Sequence, residues 1–494
     1  MPAIARGSSH AAALACLLAG ATARAEPGAT ERTSSAEAPA DTAPSGAPGA
    51  VATPLADTSR ADLEARVTRL ENEAAERREA PLVLSGYVHM DWVVFRQSSQ
   101  DEVTQDGQPL NEDRFLLRRA RLRAERDYGL FHGAFEVDAN TLNGPQLRPI
   151  NAEASFKWPA SRAYPRTPWA HDPSPPRVSW DAPREKSDAR DHDAPWFMVT
   201  AGLFRTPFGF EVPESERERP WLERATMSAA MFPQSFDLGL RVLGGYRFLR
   251  YAFAIMNGDP IGERTFPGRD PNESKDLVFR IGGATAVTER IRVDGGLSGV
   301  SGRGFHRGTA ATKDLMQWQD SNADGIVDNT TEIQIIPGSP ATPSESFKRF
   351  AVGADLRATI TLPTLGDLHL RAEVVRGNNL DRGLFVSDPV AMTRDLRQLG
   401  YYLGASQEIT RWALIGVRYD RYDPDADARE QEPFALVPRD TSMSTWSFSA
   451  TGRTRVARLV AQYDRRQNAL GRDTSGRPTT LADDSFTLRA EVRF

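Results

Sequence analysis

"DSFTLRAEVRF", residues 484–494, puts Phe486, Leu488, Ala490, Val492 and Phe494 on alternate positions, with Thr487, Arg489, Glu491 and Arg493 between them. Period 2 is the repeat of a β-strand, whose successive side chains point to opposite faces. One face here is apolar and ends on an aromatic; the other is charged. That division suits a strand with lipid on one side and water on the other, its terminal aromatic at the membrane interface. The expected partner is the first strand of the same pattern, "LVLSGYVHMDW" from Leu82, so that the two close a barrel.

The pattern runs back to residue 82. In "LVLSGYVHMDWVVF", Leu82, Leu84, Val88, Met90, Trp92 and Val94 share one face and Ser85, Tyr87, His89 and Asp91 the other. Strands are expected near 82–96, 113–126, 130–142, 151–158, 196–204, 238–248, 250–257, 276–286, 290–301, 347–361, 367–377, 397–409, 411–422, 441–453, 455–468 and 483–494. Most approach the nine to eleven residues with which a tilted strand crosses a bilayer. Short links near Tyr128, Leu249, Glu289, Pro363 and Arg453 alternate with long polar ones, as periplasmic turns alternate with extracellular loops. The Pro- and charge-rich stretch 159–195 falls where a short turn belongs, so it is either an insertion or the sign of a misassigned early strand.

The two faces decide between a barrel and a soluble sandwich, which would also alternate. One set is bulky and apolar: Phe131, Phe135 and Val137; Leu238, Leu240, Val242 and Tyr246; Trp446 and Phe448; Leu459 and Tyr463. The opposite set is charged: Arg119, Arg121 and Arg123 on one strand, then Arg280, Arg292, Asp294, Arg349, Asp355, Arg357, Arg371, Glu373, Arg458, Asp464, Arg489 and Glu491. Lipid outside and water inside account for both, and closure leaves no unpaired edge. The fold class is therefore all-β: a 16-stranded antiparallel transmembrane β-barrel over 81–494, preceded by a short N-terminal coiled-coil helix.

That helix is read over 59–80, where Leu63, Val67, Leu70 and Ala74 are spaced four, three, four; a solvated amphipathic helix is the plainer alternative to a self-associating stalk. Residues 26–58, rich in Ala, Pro, Ser, Thr and Gly, read as a disordered linker. Residues 1–25 read as a signal peptide, with Arg6, the apolar "AAALACLLAG" and the Ala23-Arg24-Ala25 cleavage site. The only cysteine, Cys16, lies in that leader. The chain is 40% hydrophobic and 26% charged with a formal charge of −5, so nucleic acid is not an expected partner. Its seven histidines show no metal-ligand spacing, and no catalytic constellation stands out, so an enzyme is not expected.

"VTAGLFRTPFGFEVPESERERPWLER", residues 199–224, is more specific. Gly202, Phe204, Arg205, Pro207, Phe208 and Glu211, then Glu223-Arg224, "DLGLRV" at Asp237 and Asn257-Gly258 resemble the phosphate-selective porin (porin O/P) family, as does "FLLRRARL" at Phe115. The resemblance spans roughly 82–494. It implies a homotrimeric barrel in the outer membrane of a Gram-negative bacterium, surrounded by lipid, that passes anions, phosphate or polyphosphate in the best-known members. The terminal Phe also looks like the C-terminal insertion signal of such barrels.

A porin loop after the fifth strand folds into the lumen, which nominates 205–237. Guanidinium groups bind phosphate oxygens in forked pairs and bias a narrow passage toward anions. The candidate pore residues are Arg119, Arg121, Arg123, Arg205, Arg217, Arg219, Arg224, Arg241 and Arg280. The alternative is that they pair with Glu211, Glu214, Glu216, Glu218 and Glu223 and brace the loop, while Glu136, Asp138, Asp355 and Glu373 neutralise the field. Five lysines in the whole chain weaken the case for phosphate and favour a general anion pore. Another transported substrate, an envelope-tethering barrel with a plugged lumen, and a soluble β protein are the other readings. No cofactor is expected, but "DSNADGIVDNTTE" matches a calcium loop at Asp320, Asn322, Asp324, Gly325 and Asp328, with Thr331 where the closing Glu belongs and Glu332 one residue late.

Overall fold

The computed structural model describes residues 67, 82–96, 99–103, 109–111, 113–142, 144–160, 195–260, 273–328, 330–432, 434–472, 478–481 and 483–494. The signal peptide, the linker and nearly all of the proposed coiled-coil stretch lie outside the described residues.

Sixteen strands form one closed barrel. They are β1 (Val83–Phe95), β2 (Arg114–Tyr128), β3 (Phe131–Asn140), β4 (Gln146–Trp158), β5 (Phe197–Arg205), β6 (Phe236–Tyr246), β7 (Leu249–Met256), β8 (Asp276–Thr288), β9 (Ile291–His306), β10 (Glu345–Thr361), β11 (Asp367–Asn378), β12 (Arg397–Thr410), β13 (Ala413–Asp423), β14 (Met443–Arg453), β15 (Ala457–Gln467) and β16 (Ser485–Arg493). Every strand pairs antiparallel with its neighbours in sequence, and β16 returns to β1 in the register Tyr87↔Arg493 to Phe95↔Ser485. Closure pairs the backbone polar groups of every strand, the condition for crossing lipid with strands. All sixteen expected strands are present, with ends shifted by a few residues.

Alternation puts the apolar set outside. Phe115 is 76% exposed, Leu240 55%, Leu403 58% and Leu459 52%, in a protein whose lumen side chains are largely buried, so the outer wall is the surface a bilayer must cover. Aromatic pairs span neighbouring strands on this face: Trp92 stacks on Phe115 at 6.0 Å, and Tyr419 meets Trp446 at 4.9 Å between centroids. The inner wall neutralises its own charge. Arg489 holds Asp91 through two bonds of 2.7 and 2.8 Å, Arg280 holds Asp355, Arg357 reaches Asp294 at 2.9 Å, and His89 contacts Glu491 at 2.8 Å. Buried charges persist in a lumen only when paired in this way.

One rim carries links of a few residues, such as 129–130, 247–248 and 411–412; the other carries the long loops. Trp158 at the end of β4 and Phe197 at the start of β5, the neighbours of 159–196, lie at the short-turn rim. Because β4 and β5 pair directly, from Ala152↔Leu203 to Trp158↔Phe197, no strand is missing there and the stretch is an insertion.

Candidate functional site: a loop clamped across the lumen

Residues 206–235 join β5 to β6, and their composition explains why they do not continue as strand. Pro207, Pro213, Pro220 and Pro233 lack the donor that a ladder needs, and Gly209 adopts φ +60. The same stretch carries the bulky apolar residues of a core. Phe208, Val212, Met227, Met231 and Phe232 pack against Ala254, Met256, Val278, Val300, Ala351, Val375, Tyr402 and Tyr422, inward side chains of strands from β7 to β13. A six-residue helix, α1 (Thr226–Met231), supplies three of these contacts through Met227, Ala230 and Met231. No residue of 206–235 is exposed, and the loop lies against the inner wall of the barrel.

Its glutamates meet arginines on opposite walls. Glu211 accepts from Arg418 of β13 at 3.3 Å and Glu214 from Arg371 of β11 at 2.6 Å. On the far side, Glu216 accepts from Arg121 of β2 at 2.6 Å and from Arg205 at 2.9 Å. Glu223 gathers Arg118, Arg119 and Arg489 at 3.1, 3.1 and 2.8 Å. Wall side chains also hold the loop backbone: Glu373 accepts from Phe210 N and Glu211 N, and Gln462 from Leu222 N at 2.9 Å. The contacts reach β2, β5 and β16 on one side and β11, β13 and β15 on the other, so the loop is strapped to both sides of the barrel.

The nine nominated arginines divide. Arg121, Arg219, Arg241 and Arg280 are nearly fully buried: Arg121 on Asp138 and Glu216, Arg219 on the carbonyls of Glu211 and Glu214, Arg241 on Glu153, Arg280 on Asp355. Arg123 pairs with Glu125, Glu136 and Glu153, Arg205 with Glu216, and Arg217 with Glu218. Of these seven, Arg121, Arg205 and Arg217 pair with glutamates of the loop, Arg123, Arg241 and Arg280 with carboxylates of the wall, and Arg219 holds loop carbonyls. Arg119 forks onto Glu223 at 3.2 and 3.1 Å, whereas Arg224, half-buried, donates to the carbonyls of Phe232 and Pro233, at 2.6 and 2.8 Å.

Two members of this cluster were not nominated. Strict alternation puts Arg118 on the outer face, but a bulge in the β1–β2 register at His89/Met90 turns both Arg118 and Arg119 inward onto Glu223. Arg148 lies before the expected start of its strand. It donates to Gln234 of the loop at 3.3 Å, next to the carbonyl that holds Arg224. Among the described residues no carboxylate pairs with Arg148 or Arg224.

Burial alone would raise the Glu223 carboxyl, but Arg118, Arg119 and Arg489 outweigh it and hold it well below the usual carboxylate range. Glu216 behaves alike under Arg121, Arg205 and Arg219. Burial and then Arg219 push Arg224 down to about 10, which leaves it charged at neutral pH. Carboxyls depressed by folding stabilise the clamp fully above the unfolded value of about 4.3, and that stabilisation is lost only as pH falls through the lower folded value. Hydrogen exchange over 214–224, corrected for the intrinsic rate, should therefore stay protected from pH 7 to about 4.3. Loss of protection between pH 7 and 5 would contradict the clamp.

In the 307–344 loop the nominated calcium ligands turn to the backbone. Asp320 accepts from Asp324 N and Gly325 N, Asn322 from Asp324 N, Asp324 from Ile326 N, and Asp328 from Thr330 N. Glu332, one residue late for a ligand, accepts from Ser321 N, Asn322 N and Asp328 N and closes the turn.

No protein-family model matches the chain, and no curated protein matches it. Among solved structures, it is similar to the outer membrane channel DcaP of Acinetobacter baumannii (TM-score 0.47, 10% identity, 84% of this chain and 97% of that one). OmpT, an outer membrane protein of Vibrio cholerae in its trimer form, gives a TM-score of 0.45 at 8% identity over 84% of this chain and 99% of that one. The anion-selective porin from Comamonas acidovorans gives 0.44 at 10% over 84% and 99%. Likenesses this distant report neither family nor solute. The closed 16-stranded topology and the apolar outer wall, independently of them, make the chain a transmembrane β-barrel of the outer-membrane type.

Proposed function

We propose that the chain is an outer-membrane porin that passes small anions by diffusion through a lumen narrowed by 206–235, working as a homotrimer. One observation carries this reading: among the described residues, half-buried Arg148 beside the loop and Arg224 within it have no carboxylate partner, and Arg118 and Arg119 share Glu223. A unit charge about 4 Å from a passing ion in water is worth about 1 kcal/mol, a factor of about five in favour of the anion. The test is the reversal potential of purified trimers in a planar bilayer under a salt gradient. Anion preference is expected, and Arg148→Gln with Arg224→Gln should reduce it several-fold; cation preference in the wild type would overturn the proposal. Phosphate as the solute is the finer reading, checked by whether phosphate blocks chloride current.

A plugged, structural barrel is the second reading, favoured by the absence of exposed residues in the loop. Zero conductance from folded trimers would establish it. Calcium at 320–331 is the weaker proposal, since backbone donors already occupy those carboxylates; unchanged protease sensitivity of the loop on calcium titration would dismiss it.

A further inference from the structure

The outer wall ends differently at its two rims. Toward the short links its last outward residues are apolar or aromatic, among them Tyr128, Phe131, Trp158, Tyr246, Val287 and Phe494, all exposed. Toward the long loops the apolar belt gives way to cations on strand after strand: Arg303 on β9, Lys348 on β10, Arg376 on β11, Arg397 on β12, Arg421 on β13 and Arg465 on β15. Lys348 stands two residues from Phe350, Arg376 from Val374, Arg397 from Leu399 and Arg465 from Tyr463. Those four apolar side chains are exposed on the lipid face, so by alternation the cations share it. The rest of the circumference lacks them: near the same rim β3, β4, β6, β7 and β8 present Ala139, Leu147, Leu238, Ile255 and Leu277 outward.

Within the basic sector, Arg303 and Lys348 are direct partners in the β9–β10 register. Their Cβ atoms are then about 5 Å apart, and like charges so placed destabilise a strand pair unless an anion lies between them. Among the described residues no carboxylate forms an ion pair with Arg303, Lys348, Arg376 or Arg465, whereas Arg397 meets Asp427, and Arg421 meets Asp440 at 3.7 Å. Long basic side chains can reach water from a membrane edge unaided, but that would serve both rims and every strand alike. Confinement to one rim and one sector, with two cations opposed, is the pattern of a surface that meets fixed anions. The rim of long loops is the external one, and the glycolipid of an outer membrane's external leaflet carries phosphates on its sugar headgroup. Guanidinium groups take phosphate oxygens in forked pairs.

We propose that the outward basic sector from β9 to β15 binds the headgroup phosphates of the outer-leaflet glycolipid. Arg303 and Lys348 bracket one phosphate, and the apolar wall beneath them, with Leu297, Phe350 and Val352 exposed, receives the acyl chains. The site lies on the outside of the barrel and does not depend on whether the lumen conducts.

The test incubates the folded barrel with bisphosphorylated lipid A or with its fully dephosphorylated form and counts the lipid retained after detergent exchange by native mass spectrometry. Each cation at an anionic lipid surface is worth about fivefold in affinity. Arg303→Gln with Lys348→Gln should therefore lower retention of the bisphosphorylated lipid by about 25-fold, and the wild type should hold the dephosphorylated lipid as poorly. Arg126→Gln, exposed at the opposite rim, should change nothing. All three side chains lie on the outer face, so heat-resistant migration on a gel should be kept. Equal retention of the two lipids by the wild type, or of the bisphosphorylated lipid by wild type and double variant, would overturn the site. Displacement of the lipid by inorganic phosphate at equal concentration would assign the sector to free anions and overturn the lipid as its ligand.

Discussion

A chain in which residues 214–224 are replaced by a Gly-Gly link is expected to conduct several-fold more current per channel than the intact barrel. The segment carries Glu214, Glu216 and Glu223, whose pairs with Arg371, Arg121 and Arg489 tie it across the lumen, and Trp221 and Leu222, which fill the space against β12, β13 and β15. Removing it leaves 206–212 and 225–235 packed by their own apolar contacts. It also leaves arginines on the wall without carboxylates, at roughly 3–5 kcal/mol for each buried pair broken from one side. The barrel's backbone ladder is untouched, so heat-resistant migration of the folded form on a gel should persist and separates misfolding from widening. Unchanged conductance in a folded barrel would show that the narrowest point lies elsewhere.

Deleting Phe494 should lower the yield of assembled barrels by on the order of tenfold while barrels that do assemble conduct normally. Phe494 N donates to Gly86 O at 3.0 Å and Gly86 N to Phe494 O at 2.8 Å, the last pair of bonds that closes β16 onto β1. The ring lies over Gly86, where a Cβ would come within 2.6 Å of it. Two backbone bonds at about 1 kcal/mol each, with the ring contact, exceed the 1.4 kcal/mol that corresponds to tenfold. Gly86→Val should be at least as damaging, because its Cβ would also stand 2.4 Å from the backbone carbonyl of Arg121 on β2. Normal yield of assembled barrels from both variants would count against this closure.

The strands were legible because their signal is local. A lipid-facing residue and a water-facing residue alternate along each strand, and sixteen repeats of that contrast leave little freedom in fold class. Phe486 and Arg489 declare their faces without reference to any other part of the chain, and the structure puts Arg489 inside at 1% exposure. Where local geometry departed from period 2, the reading slipped. The bulge opposite His89 turned Arg118 inward, and the early start of β4 brought in Arg148; nothing in their neighbours' hydropathy announces either shift.

The candidate site was legible only as an inventory. Five glutamates and four arginines between Arg205 and Arg224 could brace the loop, line a passage or do both, and composition does not choose. The choice is made by partners far away in sequence: Glu214 with Arg371 at a separation of 157, Glu211 with Arg418 at 207, and Glu223 with Arg489 at 266. By itself, then, the sequence determined the barrel and the inward charge of its wall, since these follow from side-chain alternation; prolines barred a strand over 206–235, and only the resemblance pointed that loop inward. Which arginines are spent on glutamates and which stand open beside the loop was decided only when the closed barrel brought its opposite walls within reach of one segment, because ion pairing acts over a few ångströms and alternation carries no information about distance across the lumen.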